Sequence, residues 1–140
     1  MEVFGLIAAV IQTTEAVSTA VKCISEMRDA PEDRARFAKE AGFLLELLVR
    51  FKSKAETTDP SDAWFQRFCF LGTPTGPLTQ LKNSMEMVTA KLLIALQNGD
   101  ARKLERSLLW PREKKKLNDL FVQMERLKTT IGMALQMEAM

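Results

Sequence analysis

The residue type most often used as a general base is missing from this chain. It contains no histidine, which removes the most frequent general base and metal ligand of proteins. Cys23 and Cys69 lie far apart and form no CxxC spacing, so a structural zinc site would lack ligands. No phosphate-binding glycine motif is present, and the glycines at 72 and 76 stand among prolines, as in a turn. We therefore predict no enzyme activity, no cofactor and no metal.

The remaining candidates for chemistry have simpler interpretations. Asp59 and Asp62 fall in a polar stretch, where a solvated carboxylate is favoured over an acid–base catalyst, and Ser61 or Asp62 could cap a following helix. Both cysteines have apolar neighbours. This pattern favours buried free thiols in a reducing compartment over a disulfide.

Length and composition predict a single domain spanning residues 1–140. The chain is 46% hydrophobic and 27% charged, which is ordinary for a globular protein. Tyrosine is absent and helix-favouring residues dominate, so the expected class is all-α. The N-terminus has no basic region before its apolar run, and no stretch reaches about 18 uninterrupted apolar residues, so we expect a cytoplasmic protein.

Apolar residues recur with helical period in four long segments. The first stripe is Val3, Val10, Val17 and Ile24, and the second is Phe37, Ala41, Leu44, Leu48 and Phe51, widened by Leu45, Leu47 and Val49. The third stripe runs from Leu78 to Ala95 and the fourth from Leu117 to Leu135. The predicted long helices cover residues 2–28, 31–55, 77–97 and about 111–135, and Asp29-Ala30-Pro31-Glu32 and Asn98-Gly99 serve as breaks. An aromatic cluster at 64–71 and the segment Ala101–Leu109 predict one or two further short helices. Short connections between such helices are typical of an antiparallel-type bundle.

The N-terminal run is apolar on every side of its helix. Its candidate residues for insertion into a membrane or a partner are Val3, Phe4, Leu6, Ile7, Val10 and Ile11. No charge occurs between Glu2 and Glu15, and Gly5 weakens the first turn by about 1 kcal/mol relative to alanine. Either neighbouring elements cover the far side of this helix, or its end can leave the bundle.

A basic cluster accounts for most of the excess positive charge in the second half of the chain. Its members are Arg102, Lys103, Arg106, Arg112, Lys114, Lys115 and Lys116. Such a run is commonly a solvated face, but lysines in the first turn of a helix oppose its dipole. Anionic lipid headgroups or an acidic partner are the alternatives. Nucleic acid is not expected, because the overall charge of +2 is low.

The C-terminal part of the chain resembles a known family. Leu108-Leu109-Trp110-Pro111-Arg112-Glu113-Lys114-Lys115-Lys116-Leu117, followed by Met124-Glu125-Arg126-Leu127-Lys128-Thr129-Thr130-Ile131 and Ala134-Leu135-Gln136, is similar to the fungal N-terminal domain of STAND (NOD-like receptor) and ankyrin-repeat proteins. The apolar opening Phe4–Ile11 and the break at Asp29–Glu32 match that family in style. The tryptophan–proline block is the most specific part of the resemblance.

That family is similar to HeLo and HeLo-like bundles of fungal incompatibility and programmed cell death. The resemblance implies an N-terminal module followed by a nucleotide-binding or repeat domain, self-association on activation, and recruitment to the plasma membrane. Residues 3–21 would insert, and Arg112 with Lys114–Lys116 would hold headgroups. Gln12, Thr13, Thr14 and Glu15 interrupt the apolar run early. The alternative function is a homotypic or partner-binding adaptor without membrane activity.

Overall fold

The computed structural model describes residues 3–26, 31–97 and 110–137, and these ranges are helical almost throughout. Four long helices are α1 (Val3–Ser25), α2 (Pro31–Thr57), α4 (Pro77–Gln97) and α5 (Trp110–Gln136). The short helix α3 (Ala63–Phe68) and a 3₁₀ turn (Cys69–Gly72) connect α2 to α4. The predicted all-α class is confirmed. The predicted helix Ala101–Leu109 and the break at Asn98-Gly99 lie outside the described residues.

Local sequence explains where the helices begin. Pro31 opens α2 and Pro77 opens α4, where a missing backbone N–H is harmless. Asp62 caps α3: its Oδ1 accepts a hydrogen bond from the backbone N of Trp64 at 2.8 Å. Asp59 holds the preceding turn by accepting hydrogen bonds from the backbone N and the hydroxyl of Ser61, which lower the pKa of its carboxyl. Both carboxylates therefore have local structural roles.

The four long helices form a ring in the order α1, α2, α5, α4. Helices α1 and α2 are antiparallel, since Arg34 near the start of α2 donates to the carbonyl of Ser25 at the end of α1. Helices α2 and α5 run parallel: Arg36 stacks on Phe121, and further along both helices Lys54 contacts Met137. This arrangement requires the α2–α4 connection to cross one end of the bundle, which is where α3 and the 3₁₀ turn lie.

One hydrophobic core occupies the centre of the ring. The predicted stripe of α2 is confirmed, because all five of its residues have no exposed surface: Phe37, Ala41, Leu44, Leu48 and Phe51. The stripes of α4 and α5 are likewise buried, from Leu78 to Leu92 and from Leu117 to Ala134. Trp64, Phe65 and Phe68 close the crossover end.

Three side chains depart from the predicted pattern. Phe70 of the aromatic cluster is 46% exposed because it falls on the outer side of the 3₁₀ turn, and Val49 on α2 is 62% exposed. Both cysteines are free, as expected, but only Cys23 is buried; Cys69 on the 3₁₀ turn is half-buried. Burial raises the pKa of the Cys23 thiol, with a smaller contribution from Glu26.

Candidate functional site

Helix α1 is the most enclosed part of the candidate site. It packs against both α2 and α4, and of the predicted insertion residues, Leu6 and Val10 have no exposed surface. Val17 and Ala20 continue the same buried stripe toward the C-terminal end of the helix. Leu6 and Val10 therefore anchor the N-terminal half of α1 in the core. Releasing α1 requires opening the bundle.

The opposite side of the same helix faces solvent and carries no charge before Glu15. Ala8 and Gln12 are exposed, Ile11 is 40% exposed and Ile7 is half-buried. The side chains of Val3 and Phe4 lie outside the described residues. A helix on the surface of a soluble bundle normally has charged residues on its solvent face. The first half of α1 departs from this rule.

The two threonines in the middle of α1 are satisfied by hydrogen bonds. Thr13 is fully buried, and its hydroxyl donates to the carbonyl of Leu78 on α4 at 3.1 Å. The Thr14 hydroxyl donates to the carbonyl of Val10 within the helix at 2.7 Å. Gly5–Ser25 is long and apolar enough to cross a membrane by length and composition. This segment is not an uninterrupted apolar run, since it contains Glu15 and Lys22, and of the two threonines only Thr14 bonds within α1.

Two residues of the basic cluster have described side chains. Lys115 is exposed, and Lys116 borders a small cavity of about 140 Å³ with Met87, Val88 and Asp119. The backbone of Arg112 and Lys114 belongs to the first turn of α5. Their side chains, and all of Arg102, Lys103 and Arg106, lie outside the described residues.

Contacts with helix α4 give the distance between Thr13 and Lys116 along the bundle axis. Thr13 contacts Leu78 at the start of α4, whereas Lys116 lies beside Val88, ten residues further along. At 1.5 Å per residue this is about 15 Å along the bundle axis. In the closed bundle, Lys116 and the N-terminal half of α1 therefore lie at different levels along the bundle axis.

Two grooves flank α1. The groove between α1 and α2 has a volume of about 520 Å³ and is bordered by Ile7, Ile11, Ala55, Thr58 and Pro60 among others. The groove between α1 and α4 has a volume of about 370 Å³. Its wall includes Thr89, whose buried hydroxyl has no hydrogen-bond partner within the described ranges. The exposed apolar face of α1 lies between these grooves.

The sequence did not reveal how the end of α5 is held. The indole Nε1 of Trp64 donates to the carbonyl of Ala134 at 3.0 Å, and the ammonium of Lys54 donates to the carbonyls of Leu135 and Met137. These partners are 70 or more residues apart in the chain. No short-range spacing could have indicated them.

A charge cluster between α2 and α5 was also missed. The ammonium of Lys128 pairs with the carboxylates of Glu40 and Glu125. The hydrogen bond from Lys128 holds the pKa of Glu40 below its ordinary value. Burial lowers the pKa of Lys128, but its hydrogen bonds to the two glutamates outweigh this effect and raise it.

This cluster predicts a pH dependence of stability. The pKa of Glu40 is lower in the folded chain than its ordinary value of 4.5. The contribution of its carboxylate to the free energy of unfolding is therefore complete above pH 4.5 and is lost as the pH falls through the lower folded pKa. We expect Glu40→Gln to reduce the acid-induced loss of stability by less than about 1 kcal/mol, since the pair is partly solvent-screened. Urea unfolding from about pH 6 to pH 3 measures this. Glu46→Gln, an exposed carboxylate of the same helix, is the control, and equal changes in both variants would contradict the prediction.

No group of three or more potential metal-ligating side chains occurs among residues 3–26, 31–97 and 110–137. No family model, curated protein or solved structure matches this chain. The candidate site is therefore defined by its geometry: a core helix with an uncharged outer face.

Proposed function

We propose that this chain is a non-enzymatic signalling domain that works by releasing helix α1 into a membrane when several copies cluster. In keeping with the resemblance, it would be the N-terminal effector module of a fungal NOD-like receptor and would act in programmed cell death. At rest it would be cytoplasmic, with a nucleotide-binding or repeat domain following in the same chain. Anionic lipids and further copies of itself are its proposed partners.

The observation that carries the proposal is the uncharged solvent face of α1 from Ala8 to Gln12. If α1 served only as a core helix, a charged residue at Ile11 would be compatible with the fold, because Ile11 is 40% exposed. In hydrocarbon such a charge costs about 2.5–3.5 kcal/mol at the centre of a bilayer, and the part of α1 before Glu15 carries none. A helix that moves from the bundle into a bilayer needs apolar residues on its exposed side as well as on its buried side.

The closed bundle explains why clustering would be needed. Leu6, Val10 and Val17 have no exposed surface, and fully exposing such side chains costs about 1.5–3 kcal/mol each. A membrane must offset this cost together with the Thr13–Leu78 hydrogen bond. Contacts between clustered copies would stabilise the opened bundle and leave α1 free to insert.

The test is dye release from anionic liposomes by artificially clustered protein. Deleting residues 2–11 would be a poor variant, because it removes Leu6 and Val10 from the core. Ile11→Glu changes only the exposed face. We expect it to reduce leakage by at least tenfold while circular dichroism and thermal unfolding stay close to the original protein.

Val49→Glu is the matched control. Val49 is 62% exposed on α2, so the same apolar-to-charged change leaves α1 untouched and leakage is expected to persist. Equal leakage from both variants would refute insertion of α1. Absence of leakage from the clustered original protein would refute the membrane activity as a whole.

The alternative is an adaptor that self-associates or binds a partner helix without touching lipid. Large apolar side chains exposed on α2, α4 and α5 favour it: Phe43, Val49, Met87, Val122 and Met133 are 50–62% exposed. Surfaces of this kind are common at interaction sites when they are contiguous. This alternative predicts dimers or larger species by light scattering and no sedimentation with liposomes at physiological salt.

A further inference from the structure

One segment touches both the beginning of α1 and the end of α5. It comprises residues 54–76, from the last turn of α2 through α3 and the 3₁₀ turn to the start of α4, and we call it the clasp. Its two sets of contacts lie at the same end of the bundle, where α1 begins and α5 ends. The chain's N-terminal helix and the last turn of its C-terminal helix are thus held by a common element.

The clasp holds the last turn of α5 by donating hydrogen bonds to carbonyl groups at the end of that helix. The final carbonyls of a helix have no partner within the helix. Trp64 supplies a donor for Ala134 at 3.0 Å, and Lys54 supplies donors for Leu135 and Met137. The end of α5 therefore depends on side chains of the clasp.

The clasp holds α1 through close backbone packing. At Gly72, an added Cβ would lie 3.1 Å from the Cα of Leu6 and 3.2 Å from the Cβ of Ala9, so the 3₁₀ turn rests directly on the backbone of α1. Leu71 beside it has no exposed surface. Nearby, Ala55 and Thr58 form one wall of the groove whose other wall is Ile7 and Ile11.

Aromatic packing makes the clasp a single unit. The ring of Trp64 lies 5.3 Å from that of Phe51, 5.1 Å from that of Phe65 and 5.5 Å from that of Phe68, measured between centroids. Phe68 immediately precedes the 3₁₀ turn that packs on α1. The side chain that holds α5 is therefore packed against the residue that leads into the contact with α1.

We propose that the clasp couples the last turn of α5 to the N-terminal half of α1, so that releasing Ala134, Leu135 and Met137 makes residues 3–13 easier to detach while the far half of α1 stays packed. A structural change that displaces the end of α5 would then weaken the packing of α1 through Trp64. The coupling is a property of the resting bundle, and it goes beyond the proposed function because it holds whether α1 enters a membrane or a partner.

The test compares the reactivity of two buried thiols in the full 140-residue chain. One protein carries Val10→Cys with Cys23→Ala and Cys69→Ser, and reports on the N-terminal half of α1. The other keeps Cys23, which is 6% exposed near the far end of α1, and carries only Cys69→Ser. Trp64→Phe is added to both, since it removes the hydrogen bond to Ala134 but retains an aromatic ring.

We expect Trp64→Phe to raise the labelling rate of the thiol at residue 10 about five- to tenfold, because one buried hydrogen bond is lost. The labelling rate of Cys23 should rise less than twofold. Lys54→Met, which retains the aliphatic stem, should act in the same direction. Val88→Ala is the control: it creates a cavity in α4 away from the clasp and should accelerate both thiols equally.

An equal acceleration of both thiols by Trp64→Phe would show general destabilisation and overturn the coupling. An unchanged rate at residue 10 would overturn it as well. Because no membrane is involved, a failure of the liposome experiment leaves these rates unaffected, and the two proposals are tested separately.

Discussion

Phe51→Ala is expected to lower the free energy of unfolding by about 3–5 kcal/mol, the range for removing a buried phenylalanine. Phe51 has no exposed surface, and its ring lies 5.3 Å from that of Trp64. The change creates a cavity at the place where α2 meets the crossover, so neighbouring side chains can fill it only in part. Because domains are typically stable by 5–15 kcal/mol, this single substitution removes a large part of the total. Urea unfolding followed by circular dichroism measures the effect.

Phe43→Ala provides the matched control on the same helix. Phe43 is 52% exposed, and its ring faces the ammonium of Lys128 at 6.0 Å. Removing it leaves no enclosed cavity, so we expect a loss of less than about 1 kcal/mol. Similar losses for the two phenylalanines would contradict the packing described for α2.

Gly76→Ala is expected to lower the free energy of unfolding by about 1–3 kcal/mol or more, the usual range for overpacking. An added Cβ at this position would overlap the backbone carbonyls of Phe70 and Leu71. Backbone atoms cannot rotate away as a side chain can, so the 3₁₀ turn must shift relative to α4. Gly76 also accepts the first helical hydrogen bond of α4, from the backbone N of Gln80 at 3.0 Å. Thermal unfolding would report the loss as a lower Tm.

Gly42→Ala is expected to stabilise the chain, in contrast to Gly76→Ala. An added Cβ there meets nothing within 4 Å, and the position is exposed in the middle of α2. Alanine favours the helix over glycine by about 0.5–1 kcal/mol, so Tm should rise. A decrease in Tm for Gly42→Ala, or no change for Gly76→Ala, would contradict the assigned surroundings of these two glycines.

Helical periodicity predicted most of the fold. The stripes from Phe37 to Phe51 and from Leu117 to Ala134 are buried as expected, because a residue's position around a helix depends only on its spacing from its neighbours. The starts of α2 and α4 were predicted for an equally local reason, since Pro31 and Pro77 suit the first turn of a helix. The ring order of the helices was not predicted, because spacing within a helix carries no information about its neighbours.

The candidate site was predicted less completely. The sequence identified α1 and the lysines near Trp110, and its seven-residue repeat placed Val10, Val17 and Ile24 toward the core, where they are buried. It did not show that Ile11 is 40% exposed, because nearly every residue around Ile11 is apolar. The axial separation of about 15 Å between the levels of Thr13 and Lys116 arises because α4 and α5 run antiparallel, which no local pattern specifies.

The all-α class, the long helices and the absence of histidine are therefore properties of the amino-acid sequence, since each depends on residue type and on spacings of a few positions. The enclosure of α1, the pairing of Thr13 with Leu78 and the hold of Trp64 and Lys54 on the end of α5 arise only when distant segments pack together. Their partners are 65 to 81 residues apart. Contacts over such separations depend on how whole helices stack, because burial selects the arrangement that covers the most apolar surface rather than any one pair of residues.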